Sequence, residues 1–295
     1  MGMHSNSIDH RIRRGLWLRA RPGVYRFAAC RTSWHQSVMA ACLQIPGAVA
    51  YGRTAGWLYG LDGLGRSPPV PLELAVERTR NPRCADLHVY RIRRLTGEWT
   101  RRDGIPVTHL PRTLIDLAGL LKFNDAELAL DSAMRSRPGL KSWLRRVLAT
   151  YPPHDRGAPH VMRKLLEVRT SPSDSGLEVK FEQLLRDSGL PEPTYRTPVC
   201  DEDGRIGSVD YIWPDYRIVL QTHGWQWHGY KQRWNTDIRQ RRRLQADNWR
   251  VLEVTREDLE EPNGPENILA LLRRTFSNSA ALLALAAEQT LPGWL

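Results

Sequence analysis

Cysteine is scarce in this chain, and its four copies stand far apart. They occupy positions 30, 42, 84 and 200, without a C-x-x-C pair. A zinc cluster or a disulfide framework needs cysteines at closer and recurring spacings. We therefore expect no structural zinc, and we expect the chain to work in the reducing cytoplasm.

Long apolar runs are also missing. No stretch approaches the roughly 18 apolar residues that suggest a transmembrane helix. Residues 1–15 (MGMHSNSIDHRIRRG) lack the apolar core of a signal peptide. The sequence therefore predicts no membrane partner.

Lysine is rare: it supplies only five of the 43 basic residues, against 32 acidic ones, and the net charge is +11. Arginine, which makes up the rest, suits bidentate contacts with phosphate better than lysine does. Such a charge favours nucleic acid as a partner, although an anionic membrane surface would attract it too. The length of 295 residues predicts two or three globular units.

Two α+β regions are predicted before residue 170. Residues 1–65 read as a basic segment, two strands around a Pro22-Gly23 turn and two short helices, the first capped by Ser33. This pattern is compatible with a winged-helix-like region, and an ordinary α/β subdomain is the alternative. For residues 66–170 we predict strands at 72–76, 87–91 and 105–108, then helices starting at 111 and covering 125–136, 138–150 and 157–169.

Three segments of this half resemble AbiEi-type antitoxins, the winged-helix regulators of type IV toxin–antitoxin systems. They are residues 22–25 (PGVY), 52–61 and 105–118, the last containing RTLIDLA. The resemblance implies a DNA-binding regulator and a cognate toxin as partner.

A polar linker at residues 170–175 predicts a boundary, with a third domain at 171–295. Ser175 and Glu178 form a capping-box pattern that opens a helix. Strands at 194–200, 205–213, 217–223 and 249–254 follow, with helices at 237–247, 264–275 and 279–288. The order helix, strand, strand, strand, helix, strand predicts a mixed α/β sheet with flanking helices.

Residues 208–228 (SVDYIWPDYRIVLQTHGWQWH) organise this third domain. Asp210 is a charge inside an apolar strand, where an unpaired carboxylate is costly. His223 and His228 follow the next strand closely. A carboxylate and two imidazoles at neighbouring strand ends predict a site for metal binding and proton transfer, with satisfied structural histidines as the alternative.

Residues 210–217 (DYIWPDYR) and 222–228 (THGWQWH) resemble the core of the very-short-patch-repair (Vsr) endonucleases. Those are DNA-nicking enzymes with a restriction-endonuclease-like fold of the PD-(D/E)XK superfamily. The resemblance implies that Asp210 and the backbone carbonyl of Thr222 hold Mg²⁺. It also implies that His228 is the general base and that His223 acts near the scissile phosphate. The zinc ligands of that family have no counterpart here, since Gly229 and Tyr230 follow His228.

Three acidic or amide positions leave alternatives open. Glu178 is either a capping residue or an acid beside the metal, and Asp237 is either a first-turn carboxylate or the group that holds a catalytic histidine. Gln221 replaces the second carboxylate of most restriction-like nucleases. Against the Glu-x-Asp-Gly pattern of the wider group of Vsr-like domains, the site looks degenerate, and against the Vsr pattern it looks intact.

Aromatic and basic residues near the site predict contacts with DNA. Trp225, Trp227 and Trp234 are expected in loops, where they either wedge between bases or pack in the core. A run of arginines on the next helix either contacts phosphates or forms a solvated face: Arg239, Arg241, Arg242 and Arg243.

The sequence thus predicts a magnesium-dependent DNA endonuclease that nicks one strand, with mismatched or distorted DNA as the first substrate to test. The alternative is a non-catalytic DNA-binding regulator, or antitoxin, with a decayed nuclease fold.

Overall fold

A computed structural model describes most of the chain: residues 5–82, 84–93, 95–173, 175–223 and 230–289. The chain divides into two compact units, Met1–Pro172 and Ser173–Leu295. Both units mix helices and strands, so the protein is a mixed α/β protein. Among the described residues, no helix combines the length and the apolar character that a bilayer crossing needs.

The first unit begins with a helix and a two-stranded ribbon. The elements are α1 (Ser5–Arg13), β1 (Trp17–Arg21), β2 (Val24–Phe27) and α2 (Trp34–Gln44). Gly23 takes a φ of 73° in the turn between the strands, which glycine adopts without strain. The Ser33 hydroxyl accepts the N–H of Gln36 at 3.2 Å, which confirms the predicted cap of α2.

A five-stranded sheet follows, with the order β5-β4-β3-β7-β6. Its elements, with one helix between them, are β3 (Val49–Ala50), α3 (Gly52–Tyr59), β4 (Leu72–Glu77), β5 (Leu87–Ile92), β6 (Trp99–Arg102) and β7 (Ile105–Thr108). The short strand β3 pairs with β4 on one side and with β7 on the other. Residues before and after position 65 therefore belong to one sheet.

Four helices complete the first unit: α4 (Leu110–Leu120), α5 (Phe123–Ser136), α6 (Leu140–Leu148) and α7 (Ala158–Val168). They share an apolar core that includes Leu114, Leu130 and Leu165. Arg169, which follows α7, is buried and pairs with buried Glu127 of α5 at 2.7 Å. The end of α7 is thus fixed to α5 by charge as well as by apolar contact.

The second unit is a four-stranded sheet with helices on both faces. Its elements are α8 (Gly176–Arg186), β8 (Thr194–Asp201), β9 (Gly204–Trp213), a 3₁₀ turn (Pro214–Tyr216), β10 (Ile218–His223), α9 (Tyr230–Ala246), β11 (Arg250–Thr255), α10 (Arg256–Glu260) and α11 (Gly264–Gln289). The strand order is β11-β10-β9-β8. Strands β8, β9 and β10 are antiparallel, whereas β11 is parallel to β10.

Each face of this sheet has its own apolar cluster. On one face, Leu220 of β10 packs with Phe181 of α8 and Leu272 of α11. On the other face, Val219 packs with Leu244 of α9. The sheet is therefore covered by α8 and α11 on one side and by α9 on the other.

Two helix boundaries differ from the prediction. Helix α9 begins at Tyr230 and not at residue 237, because residues 230–236 contain neither glycine nor proline and nothing stops the helix. Helix α11 runs without a break from Gly264 to Gln289, where the sequence predicts two helices, at 264–275 and 279–288. The Ser277 hydroxyl bonds back to the carbonyl of Arg273 at 3.0 Å, so this side chain is satisfied inside the helix.

Candidate active site

The site is built where β9 and β10 separate. Regular pairing between these strands runs from Ile218 with Trp213 to Leu220 with Tyr211. Beyond that point, the Asp210 side chain takes the place of a backbone acceptor. Its Oδ2 atom accepts the N–H of Thr222 at 2.8 Å and the Thr222 hydroxyl at 3.0 Å. The charge that the sequence places inside β9 therefore bridges the two diverging strands.

The two carboxylate oxygens of Asp210 differ in their contacts. Among the described residues, Oδ1 has no hydrogen-bond donor, and Asp210 is only partly buried. Mg²⁺ binds through one or two carboxylates and keeps several waters. Asp210 with one open oxygen thus fits a hydrated magnesium ion. Within the described part of the chain, no group of three or more His, Cys, Asp or Glu side chains could hold a metal.

Glu178 lies at the start of α8, and both of its carboxylate oxygens have partners. Oε1 accepts the Ser175 hydroxyl at 3.2 Å, and Oε2 accepts Arg196 Nη2 at 3.0 Å. Ser175 also accepts the Glu178 N–H at 3.3 Å, which confirms the predicted helix cap. Glu178 is buried, whereas Arg196 is half-exposed. These contacts account for Glu178 structurally.

Tyr211 connects the surroundings of Glu178 and Asp210. Its ring is almost fully buried, and its hydroxyl donates to the Glu178 carbonyl at 3.4 Å. Burial raises the pKa of Tyr211, and the negative charges of Glu182, Glu178 and Asp210 raise it further. The carboxylates of α8 and β9 are therefore close enough to act on one phenol.

His223, the last residue of β10, meets a carboxylate that the sequence prediction missed. Its Nε2 atom lies 3.5 Å from Oε1 of Glu253 on β11, and it makes no hydrogen bond among the described residues. The same Glu253 oxygen forms an ion pair with Arg241 of α9. Three elements thus bring a histidine, a carboxylate and a guanidinium together.

The strand register explains this cluster. Gln221 lies directly beside Glu253 in the parallel pair of β10 and β11. Neighbouring residues in register point to the same face of a sheet, and residues two apart on one strand share that face. Glu253 therefore stands next to Gln221, on the face of the sheet that also carries His223. The signal in the sequence was a charge inside the apolar strand 251–254, the same signal that identified Asp210.

The arginines of α9 divide into two kinds. Arg243 is tied to the β8–β9 turn: its Nε donates to Asp201 Oδ2 at 2.9 Å, its Nη2 pairs with Oδ1, and its Nη1 donates to the Arg205 carbonyl at 3.1 Å. Arg239 and Arg242 are exposed and, among the described residues, have no ion-pair partner. Of the α9 arginines whose side chains the structure describes, Arg239 and Arg242 are the two available to a ligand.

Asp237 and Trp234 both lie inside α9. Asp237 is exposed and stands well beyond the first turn, so it does not serve the helix N-terminus as predicted. Trp234 is helical and does not lie in a loop. The other predicted residues of this segment, Trp225, Trp227 and His228, lie outside the described residues.

Comparison with known proteins gives few relatives. No family model matches the chain. An uncharacterized protein of Mycobacterium tuberculosis, named Rv2248 in strain H37Rv and MT2308 in strain CDC 1551, is 25% identical over 265 residues. The match covers 89% of this chain and 94% of that protein, so it spans residues of both units.

One solved structure is similar in part. The crystal structure of the RV2827C protein from M. tuberculosis aligns with a TM-score of 0.42 and 16% identity. The alignment covers 68% of this chain and 78% of that one.

Proposed function

We propose that the protein is a magnesium-dependent DNA endonuclease whose second unit has a restriction-endonuclease-like fold. The order of its elements supports this: helix α8, the antiparallel strands β8, β9 and β10, the crossover helix α9, and β11 parallel to β10. In this unit the second and third strands along the chain are β9 and β10. Here those strands carry Asp210 and the segment 221–223.

The observation that carries the proposal is the arrangement of Asp210. This carboxylate lies at the point where two strands separate, with one oxygen fixed by Thr222 and the other without a donor among the described residues, so it is suited to hold a hydrated cation. Asp210, with the backbone carbonyl of Thr222, would hold the magnesium. When bound, the ion would supply positive charge to a phosphodiester and to the water that attacks it.

The remaining residues would orient the DNA and move protons. His223 would act beside the scissile phosphate, with Glu253 fixing the imidazole from the neighbouring strand. His228 would accept the proton of the attacking water, as the Vsr resemblance implies. Arg239 and Arg242, both exposed on α9, would contact backbone phosphates.

Conversion of supercoiled plasmid to open circles tests the proposal. The full chain is incubated with plasmid in Mg²⁺, and a parallel reaction contains EDTA. We expect open circles to accumulate with Mg²⁺ only. No conversion over a range of Mg²⁺ concentrations, by protein that still binds the plasmid, would contradict the endonuclease and support a non-catalytic DNA-binding protein.

That second function has an observation of its own. Two of the described acidic candidates already have protein partners: Asp210 has Thr222, and Glu178 has Ser175 and Arg196. A fold that kept these contacts for stability alone would look the same in this respect. A regulator that binds DNA without cutting it is therefore the alternative that the plasmid assay separates.

A further inference from the structure

The ribbon β1–β2 of the first unit presents three aromatic rings on one face. Trp17 is paired with Phe27, and Arg19 with Tyr25, across the two strands. Cross-strand partners, and residues two apart on one strand, point to the same side. The Trp17 ring centre lies 6.2 Å from that of Tyr25 and 6.0 Å from that of Phe27. The three rings therefore form a continuous row.

Two guanidinium groups accompany this row. Arg11, from helix α1, lies 4.7 Å from the centre of the Trp17 ring, and Arg19 lies 5.9 Å from that of Tyr25. We call the set Arg11, Trp17, Arg19, Tyr25 and Phe27 the aromatic–arginine face. Its members combine apolar ring surface with positive charge.

The face is open to solvent at one end. Phe27 is 63% exposed, which is unusual for a large apolar ring. Trp17 and Tyr25 are half-buried. The exposed Phe27 ring adjoins the half-buried Trp17 ring, and contiguous apolar surface marks a site of interaction more often than scattered residues do.

The charge around the face is strongly positive. Residues 5–33 contain one acidic residue, Asp9, and no lysine. They contain seven arginines: Arg11, Arg13, Arg14, Arg19, Arg21, Arg26 and Arg31. Arg21 is neutralised from outside the segment, by Asp86 at 2.8 Å. A partner of this surface must therefore carry negative charge.

We propose that the aromatic–arginine face binds single-stranded nucleic acid, with unpaired bases stacked on Phe27 and the neighbouring rings and the arginines on the phosphates. Aromatic rings interleaved with arginines are what sequence-tolerant single-strand binding uses, because every base offers a flat ring. In a paired duplex the flat faces of the bases are buried in the stack, so the rings of the aromatic–arginine face have no base to stack on. This inference concerns the first unit and holds whether or not the second unit cleaves DNA.

Fluorescence anisotropy with two labelled probes tests it. One probe is an oligothymidylate, and the other is an abasic oligomer of the same length, with the same phosphates and no bases. The full chain is titrated at one fixed salt concentration in EDTA, so that any magnesium-dependent cleavage is absent. We expect the oligothymidylate to bind more tightly than the abasic oligomer.

Variants separate stacking from charge. Phe27→Ala is expected to weaken oligothymidylate binding about 5-fold to 100-fold and to leave abasic binding unchanged. Phe27→Leu keeps an apolar side chain without a flat ring, so it should lose part of the affinity. The matched control is Leu43→Ala on α2 of the same unit, where an equally exposed apolar side chain (61%) is removed and no change is expected.

Arg19→Ala should weaken binding of both probes and reduce the dependence of the affinity on salt.

Three results would overturn the proposal. The first is wild-type affinity of Phe27→Ala or Phe27→Leu for the oligothymidylate. The second is an equal loss of affinity for both probes in Phe27→Ala, which would show that the face binds through charge and not through base stacking. The third combines two observations: the protein binds phosphatidylglycerol vesicles in a way that depends on Phe27, and it shows no preference for the oligothymidylate over the abasic oligomer. That result would assign the face to a membrane surface.

Discussion

The carboxylate of Asp210 accepts both hydrogen bonds that Thr222 can donate, one from its backbone N–H and one from its hydroxyl. Asp210 therefore has a structural role, and a catalytic role would come in addition to it. Removing the charge and removing the hydrogen bonds are separate changes, and the choice of substitution decides which one is tested.

Asp210→Asn removes the charge and keeps a side-chain oxygen that accepts from Thr222. We expect the free energy of unfolding to change by about 1 kcal/mol at most. Loss of the charge that holds the cation should lower the rate of magnesium-dependent plasmid nicking about 100-fold or more. An undiminished rate in correctly folded Asp210→Asn would exclude the catalytic role of this carboxylate.

Glu253→Ala tests whether the carboxylate on β11 fixes His223. The imidazole loses its neighbour at 3.5 Å, and we expect plasmid nicking to slow about tenfold, since a small misplacement of a catalytic group is costly. Stability should change by less than about 0.5 kcal/mol, because Glu253 is exposed. Arg241→Ala is the matched control: it removes the other partner of Glu253 and leaves the histidine contact. Equal slowing by the two variants would show that the ion pair, and not the histidine contact, matters.

Local signals predicted the parts of the fold that local interactions determine. The caps at Ser33 and Ser175 were recognisable because a hydroxyl and the backbone N–H that it accepts stand three residues apart. The turn at 201–204 predicts the β8–β9 hairpin. Hydrophobic periodicity predicts the order of elements in the second unit.

Non-local relationships were not predictable in this way. The proximity of Glu253 to His223 depends on the register of a parallel pair whose strands are joined by a whole helix, and no short motif encodes that register. The predicted start of α9 at residue 237 is wrong: Thr236, just before it, is of a residue type that often caps helices, but here it lies inside the helix that begins at Tyr230. For Asp210, the sequence predicts a functional role because the charge lies inside an apolar strand. The structure adds a structural role, the hydrogen bond from Thr222.

Glu178→Ala is expected to destabilise the second unit. The substitution removes the ion pair with the half-exposed Arg196 and the hydrogen bond with the Ser175 hydroxyl. We expect a loss of about 2 kcal/mol, below the value for fully buried pairs because Arg196 can be solvated.

Lys180 provides the control for this measurement on the same helix. Its ion pair with Glu260, at 2.9 Å, is exposed on both sides, so Lys180→Ala should cost about 0.5 kcal/mol or less. The two variants are compared through the urea denaturation midpoint of the full chain. Equal midpoints would contradict the structural role of Glu178. A loss of nicking by Glu178→Gln at unchanged stability would instead support the role beside the metal.

The contact between Arg243 and Asp201 predicts a dependence of stability on pH. The hydrogen bond from Arg243 lowers the pKa of Asp201 below its usual range. An acid with a lowered pKa in the folded state stabilises that state above its usual pKa, and the stabilisation is lost as the pH falls through the lowered value. Arg243→Ala should therefore be less stable than wild type near pH 7, and the difference in stability should narrow as the pH is lowered to about 3.

A difference in denaturation midpoint between Arg243→Ala and wild type that stays constant over this range would contradict the prediction. Arg242→Ala, which removes an exposed arginine next to it, should show no such trend.

The parallel pairing of β10 with β11 has a consequence for the order of folding. Ile218 lies opposite Arg250, so the whole of α9 separates the two strands along the chain. Such a contact must first close a long loop, whereas β8 and β9 turn back on each other between Asp201 and Gly204. We expect the β8–β9 hairpin to gain amide protection early in refolding, as followed by pulsed hydrogen exchange, and β11 to gain it last among the four strands. The cluster of His223 and Glu253 would then assemble only at the final stage, after the helix that carries Arg241 has formed.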